Sequence, residues 1–189
     1  MLKFIKIYIV ILPFLISCTH CEKLYLVKSE LDWVENYHLG QTFIFKSNKG
    51  NTDSLVVKEI RRFHTDCNKL ELSKFQYEIF DVEFSMKTSS GDTGRNCLLV
   101  LTKNMESTVD PEIFVGSLGT KKNSLERKPL LYIDISLENV KYHSINYFKK
   151  NLNAETYGNT ETIVDFFWDK KQGLIAYTTN EGEFFIRRR

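Results

Sequence analysis

The first motif with chemical potential is Cys18-Thr19-His20-Cys21, whose C-x-x-C spacing is that of a metal or redox site. The residues before it predict a different role for the first cysteine. Leu15-Ile16-Ser17-Cys18 has the pattern of a bacterial lipobox, in which the cysteine sulfur becomes a lipid-bearing thioether. A thioether cannot act as a thiolate ligand or form a disulfide, so the C-x-x-C site is not expected to exist in the mature chain.

The segment before the cysteine has the parts of an export signal. Lys3 and Lys6 precede the apolar run Ile7–Ile16, and the small Ser17 stands just before the cleavage position. A transmembrane helix needs about 20 apolar residues, and this run is shorter and contains Pro13. The segment is therefore too short to remain as a membrane anchor.

These features predict a lipoprotein signal peptide over 1–17 and acylation of Cys18, with palmitate as an expected acyl group. Two or more acyl chains hold a protein stably on a membrane, whereas one does so only marginally. Cleavage after Ser17 without lipid, or no cleavage, are the alternatives. In enteric bacteria, Asp directly after the acylated cysteine commonly retains a lipoprotein at the inner membrane. Here that position is Thr19. The expected address is the outer membrane, on its periplasmic or its surface face.

The remaining cysteines are odd in number, which predicts at least one free thiol or an intermolecular pair. Cys67 and Cys97 are the obvious candidates for a bridge. If Phe75–Met86 is a strand between them, however, they lie at opposite ends of it, roughly 30 Å apart. A disulfide requires roughly 4.4–6.8 Å between Cα atoms. The spacing therefore favours free, buried thiols over a Cys67–Cys97 bridge.

No catalytic or metal constellation is predicted elsewhere. His64 and Cys67 supply two ligands, but a zinc site needs about three or four. Gly116-Ser117-Leu118-Gly119 lacks the spacing of a nucleophile elbow. Gly91-Asp92-Thr93-Gly94 contains the Asp-Thr-Gly of an aspartic protease, but no second such loop is present to share the proton. We expect no enzyme activity, no metal and no cofactor.

The charge balance gives no indication of nucleic-acid binding. The chain has 26 Lys and Arg against 24 Asp and Glu, and removal of Lys3 and Lys6 with the signal leaves 24 of each sign. Nucleic-acid binders usually carry a basic face. The one dense basic run is Arg187-Arg188-Arg189. It is typical of a solvated strand end, with contact to anionic head groups as the alternative.

The hydrophobic pattern predicts strands along most of the chain. A helix is predicted only near Ser29-Glu30-Leu31-Asp32, which has the form of a capping box. Thr42–Lys46 and Ser54–Phe63 read as a hairpin, with a turn cluster between them. Within Phe75–Met86 the core-facing parity changes between Ile79 and Phe80, which predicts a β-bulge or a bend there.

The second half alternates more regularly. Leu131–Leu137 has one apolar face, and Ile163–Trp168, Leu174–Thr179 and Glu183–Arg187 form a meander joined by turn residues. With the shorter segments there are about nine strands, a number typical of a β-sandwich or an incomplete β-barrel. We predict a mainly β fold with one short N-terminal helix. The predicted layout is a lipidated tether over 18–28 and a single antiparallel domain over 29–189.

Aromatic residues provide the one candidate for recognition. Ile163–Trp168 is apolar on both faces, so both faces need cover. If the outer face is not covered internally, Trp168 is predicted to lie partly exposed beside Tyr177 and form a binding patch. The alternative is that both residues belong to the core.

Three groups of residues carry a family resemblance. These are the lipobox with Gly40-Gln41-Thr42-Phe43-Ile44-Phe45, the turn Asn48–Leu55, and Gly173–Tyr177 followed by Asn180–Phe184. In these segments the chain resembles the small envelope lipoproteins of Bacteroidetes. The resemblance implies a gram-negative cell envelope and a β-rich fold, and it supplies no catalytic residue.

The sequence thus predicts a membrane-tethered, non-enzymatic binding or accessory lipoprotein. Its expected partners are the membrane, through Cys18, and an envelope protein, a glycan or a lipid. Two other classes stay open: a half-barrel carrier of lipid or another hydrophobic ligand, and an enzyme whose residues converge only in three dimensions.

Overall fold

The computed structural model of this chain describes residues 21–67, 75–89, 91–105, 109, 111–116, 118–119, 131–137, 140–149 and 163–188. The predicted signal peptide 1–17 and Cys18 lie outside these residues. The strands are β1 Glu22–Leu24, β2 Thr42–Ser47, β3 Thr52–His64, β4 Phe75–Thr88, β5 Gly91–Thr102, β6 Glu112–Val115, β7 Leu118–Gly119, β8 Leu131–Leu137, β9 Val140–Lys149, β10 Ile163–Asp169, β11 Gly173–Thr179 and β12 Phe184–Arg187. The one helix of the described residues, α1, is Lys28–Leu31. The chain is mainly β, which confirms the predicted fold class.

Eleven of these strands form one antiparallel path in the order β7-β6-β5-β4-β3-β2-β12-β11-β10-β9-β8. Two meanders, β2 to β7 and β8 to β12, are joined where Phe185, Ile186 and Arg187 pair with β2. The remaining strand, β1, pairs in parallel with the start of β4. The described residues thus contain twelve strands in place of the predicted nine or so, and they belong to one open sheet.

The sheet curls so that its two halves enclose a common core. The rings of Phe84 on β4 and Trp168 on β10 lie 6.3 Å apart, although four strands separate β4 from β10 along the path. A Cβ placed on Gly116, which follows β6, would lie 3.6 Å from Cδ1 of Ile163 on β10. This continuous, open antiparallel sheet is consistent with both predicted architectures, the β-sandwich and the incomplete β-barrel.

The N-terminal segment covers the core. Leu26, Trp33, Val34 and Tyr37 are all buried in the main hydrophobic cluster. The predicted tether over 18–28 is therefore too long, because its residues from Cys21 onward are part of the folded domain. The chain begins to pack as soon as β1 can pair with β4.

The helix begins at Lys28, one residue before Ser29, the predicted N-cap. Its N-cap is Val27, and the Val27 backbone N–H donates to Glu30 Oε2 at 2.7 Å. The Glu30 side chain thus satisfies an N–H group at the start of the helix, as the acidic residue of a capping box does. The sequence pattern identified the correct turn of helix but the wrong N-cap, Ser29.

The predicted change of parity within β4 is wrong. Pairing of β4 with both neighbours continues without interruption through Ile79 and Phe80. One face points to the core along the strand, and its buried apolar members are Val82, Phe84 and Met86. The apolar residues of the opposite parity, Phe75, Tyr77 and Ile79, are only partly buried.

The irregularity lies in the neighbouring strand instead. The register of β3 against β4 shifts between Val57 and Glu59, which leaves Lys58 as the extra residue of a bulge. Val57 is buried in the core before the bulge, and Ile60 packs against the core after it. The core-facing parity of β3 therefore changes at Lys58, and this brings Arg62 to the face that carries Glu78 and Phe80.

A second, smaller cluster lies on the opposite face of the C-terminal half. It consists of Tyr142, Ile145, Ile175 and Ala176, with partly buried neighbours that include Phe167 and Phe184. Phe167 stacks on Tyr147 at 4.8 Å between ring centroids. The apolar character of β10 on both faces therefore has a structural cause: one face lines the main core and the other joins this second cluster.

Candidate functional site at the start of β4

Trp168 and Tyr177 do not form an exposed patch. Both side chains have 0% exposure and belong to the main core. They do not pair with each other across β10 and β11, because Trp168 pairs with Leu174 and Tyr177 with Phe166. The predicted binding patch is wrong, and the core alternative is correct.

The Tyr177 hydroxyl has a structural partner inside the sheet. It donates a hydrogen bond to Oδ2 of Asp53, a buried carboxylate on β3. The other oxygen, Oδ1, accepts the Ser89 backbone N–H at 3.2 Å. A buried carboxylate is tolerated only when hydrogen bonds replace its hydration. Tyr177 and Asp53 thus join β11 to β3 through the core, facing away from solvent.

The cysteines pair differently from either alternative considered for the sequence. Cys21 and Cys67 form a disulfide with a Cα–Cα distance of 6.2 Å. Cys21 immediately precedes β1, and Cys67 lies in the extension of β3, where the Thr65 N–H donates to the Tyr77 carbonyl. The bond therefore ties together the two segments that flank the start of β4.

Cys97 is the free cysteine of the described residues, and it is completely buried in β5. It pairs with Phe84 in the middle of the sheet, far along β4 from the disulfide. Burial raises the pKa of the Cys97 thiol well above its ordinary value. The thiol is thus kept protonated and out of contact with solvent, so it is not a candidate nucleophile.

Next to the disulfide, a buried carboxylate gathers three segments. Glu78 on β4 accepts the Leu26 backbone N–H at Oε2, 2.7 Å away, and the Arg62 Nε–H at Oε1, also 2.7 Å away. The Glu78 carbonyl accepts the Lys103 backbone N–H at 2.8 Å. One residue thus holds the N-terminal segment, the end of β3 and the chain after β5.

The charge of Glu78 is stabilised by these bonds. Burial by itself raises the pKa of a carboxyl group, because it disfavours the charged form. The Arg62 guanidinium and the Leu26 N–H bond the charged form, and together they hold the pKa of Glu78 below its ordinary value. Glu78 is therefore ionised and connects these segments as a hydrogen-bond acceptor; it is not a proton donor.

A second ion pair reinforces the same end. Lys103 Nζ lies 2.9 Å from Glu30 Oε1 and 3.1 Å from Oε2, and both side chains are largely buried. Since Glu30 also caps α1, the pair connects the helix to the end of β5. The end of the sheet that carries the disulfide is thus cross-linked by one covalent bond and two ion pairs.

His64 does not take part in a metal site with Cys67. Cys67 is consumed in the disulfide, and His64 pairs with Glu78 across the strands and meets the Tyr25 ring edge-on at 4.9 Å. In the described part of the chain, no group of three or more His, Cys, Asp or Glu residues could hold a metal ion.

Sequence reasoning missed Glu78, Arg62 and the pairing of Cys21. One signal for Glu78 was present: it stands on the same parity as Phe80 and Val82, so an acidic residue occupies a core-facing position. The partner of Cys21 had no local signal, because the two cysteines are 46 residues apart.

Comparisons with protein-family models, with curated proteins and with solved structures give no match for this chain. No helix in the described residues has the length and apolar character needed to span a membrane.

Proposed function

We propose that this chain is a membrane-tethered, non-enzymatic binding or accessory lipoprotein of the bacterial cell envelope, anchored by acyl chains on Cys18. The observation that carries the proposal is the disulfide between Cys21 and Cys67. Cys21 lies only three positions after the lipobox cysteine, Cys18. Disulfides persist in exported proteins and are rare in the reducing cytosol. An independent feature of the fold therefore supports the export that the first residues predict.

A lipid attached to Cys18 would lie next to the end of the domain that carries the disulfide. A tether of three residues leaves the domain close to whatever holds Cys18, and the domain is cross-linked at that very end by Glu78 and Lys103. Reinforcement here resists local unfolding where the chain meets its anchor. With Thr19 after the cysteine, the proposed address is the outer membrane.

The proposal of a binding or accessory role, rather than catalysis, is supported by the use of the buried acids. Asp53, Glu78 and Glu30 each accept a hydrogen bond from a distant segment of the chain: from the Ser89 N–H, the Leu26 N–H and Lys103 Nζ, respectively. Their carboxylates are employed in holding the fold. The proposed partner is an envelope protein, a glycan or a lipid.

The packing of the core favours this role over that of a hydrophobic-ligand carrier. A carrier needs an apolar hollow between the two halves of the sheet. In this structure Tyr37 and Phe84 lie 5.1 Å apart between ring centroids, and Phe84 contacts Trp168. Aromatic side chains thus occupy the space that a carried ligand would need.

The anchoring is tested with Cys18→Ala in cells that express the full chain and are fed labelled palmitate. The variant should lose the label and leave the membrane fraction. Cys97→Ala, which also removes one thiol but leaves the lipobox intact, should keep both. Unchanged labelling and fractionation of Cys18→Ala would refute the proposal.

The binding role is tested by cross-linking the acylated protein in intact cells, followed by mass analysis of the adducts. A discrete adduct with one envelope protein, glycan or lipid is expected. Recovery of the protein without any adduct above that of an unrelated lipoprotein would count against a binding role.

A further inference from the structure

Exposed apolar side chains are concentrated at the end of the sheet where β4 begins and where Cys21 is bonded to Cys67. Six large apolar residues of the described chain are exposed, and four of them lie at this end: Tyr25 at 56%, Val27 at 52%, Phe63 at 44% and Met105 at 69%. Single exposed apolar residues are common on protein surfaces. Their concentration at one end of an elongated sheet needs a physical reason.

Glu78 serves as the reference point for their position. Tyr25 and Val27 adjoin Leu26, whose N–H bonds to the Glu78 side chain, and Phe63 adjoins His64, which pairs with Glu78. Met105 follows two residues after Lys103, whose N–H bonds to the Glu78 carbonyl. We call these four side chains the apolar rim.

The rim lies close to the point where the anchor leaves the domain. Cys21 is fixed by its disulfide beside the start of β4, where the next residue, Glu22, pairs with Phe75. The three Cα–Cα steps from Cys18 to Cys21 can span at most about 11 Å. An acylated Cys18 would therefore hold this end, and no other, within reach of the lipid head groups.

We propose that the apolar rim rests in the head-group region of the membrane to which Cys18 is anchored, so that the domain stands with the start of β4 towards the bilayer. The inference rests on the proposed acylation. Aromatic side chains are favoured at membrane interfaces, where an apolar body and a wet surface meet. A tether this short would make the contact almost intramolecular, so weak apolar contacts suffice to orient the domain.

The lipid surface is preferred over a protein partner for a geometric reason. Tyr25 contacts the His64 ring and lies on the same face of the sheet as His64. Phe63, which pairs with Ile79, lies on the opposite face. The rim thus has side chains on both faces at this end of the sheet instead of covering one face. A fluid surface that meets the end of the sheet can contact both side chains at once, whereas a flat protein surface packed on one face would leave the other exposed.

The test uses the full chain, expressed in bacterial cells, purified from them and mixed with phosphatidylcholine vesicles that carry bromine near the top of the acyl chains. Two variants report position: Phe63→Trp in the rim, and Ile44→Trp as the matched control. Ile44 has a similar exposure of 41%. It pairs with Ser54, which pairs with Lys87, eight residues along β4 from the partner of Phe63. The control therefore lies about 26 Å farther along the sheet.

Bromine should reduce the emission of Phe63→Trp relative to unbrominated vesicles, and Tyr25→Trp should behave in the same way. The emission of Ile44→Trp should change no more than that of the wild type, whose Trp33 and Trp168 are buried. Equal losses in the rim and control variants, or no loss in either rim variant, would overturn the docking while leaving the acylation intact. Failure of the wild type to float with the vesicles would contradict the acylation, and the docking with it.

Discussion

Cys21 and Cys67 are joined across the start of β4, so the residue that follows the proposed tether is covalently bound to the segment that follows β3. The bond closes a loop over a sequence separation of 46 residues, and that loop contains β1, α1, β2 and β3. The first half of the sheet is thereby tied at the end proposed to face the membrane.

Removing this bond should destabilise the domain through the unfolded state. A cross-link that closes a loop of this size is worth about 2–4 kcal/mol, chiefly because it restricts the unfolded chain. Cys21→Ser, Cys67→Ser and the double variant should all lose this amount in urea unfolding, since each removes the same bond. Cys97→Ala should keep the disulfide. The free energy of unfolding that this variant loses relative to the wild type should therefore be the same with and without a reducing agent. A double variant much less stable than either single variant would show that the thiols contribute separately.

Phe84→Ala should be among the most damaging substitutions in the core. Phe84 is 1% exposed and contacts both Tyr37 and Trp168 edge-on. Loss of a buried aromatic ring costs about 3–5 kcal/mol. Ile44→Ala, at an exposed position on β2, should cost far less. A loss below about 1 kcal/mol in the free energy of unfolding of Phe84→Ala would contradict the core assignment of this face of β4.

Glu78 should make stability depend on acid pH. Its pKa is lowered in the folded state, so its contribution is fully present above the pKa of an unfolded glutamate, about 4.3. The contribution is lost as the pH falls through the lower folded-state value. Glu78→Gln should therefore be less stable than the wild type at pH 7, and the difference should shrink on acidification.

The magnitude for Glu78→Gln is about 1–2 kcal/mol at pH 7, towards the low end for charge-assisted hydrogen bonds because Arg62 is half exposed. Urea unfolding at a series of pH values measures it. Glu59→Gln is the matched control, since Glu59 is half exposed and lies 3.8 Å from Arg61. A pH-independent difference between wild type and Glu78→Gln would show that the carboxylate is not held in its charged form.

Gly173 should tolerate alanine much less than Gly182 does. Both residues have positive φ, +81° and +72°, so each alanine bears a similar backbone strain of about 1–2 kcal/mol. A Cβ on Gly173 would in addition overlap the buried Tyr37 hydroxyl, whereas nothing lies within 4 Å of one on Gly182. Thermal unfolding of the two variants should therefore show the larger loss for Gly173→Ala. Equal losses would mean that Tyr37 moves away without cost.

Local patterns in the sequence determined most of the strands. Leu131–Leu137 and the meander from Ile163 were predicted because alternation of apolar and polar residues follows from the geometry of a strand, and turn residues separate the segments. The apolar parity from Val82 to Met86 was also correct. These features depend on neighbours in the sequence, which is why they can be predicted without a structure.

Tertiary structure decided how those strands share the core and what their polar residues do. The second apolar face of Ile163–Trp168 could have met solvent, a ligand or another part of the chain, and only the fold shows Trp168 in the main core and Phe167 in a second cluster. Likewise, Glu78 and Cys21 acquire partners from segments far along the chain. Alternation indicates that a face needs cover, but which residues provide the cover depends on the pairing of strands far apart in the sequence, which no local pattern encodes.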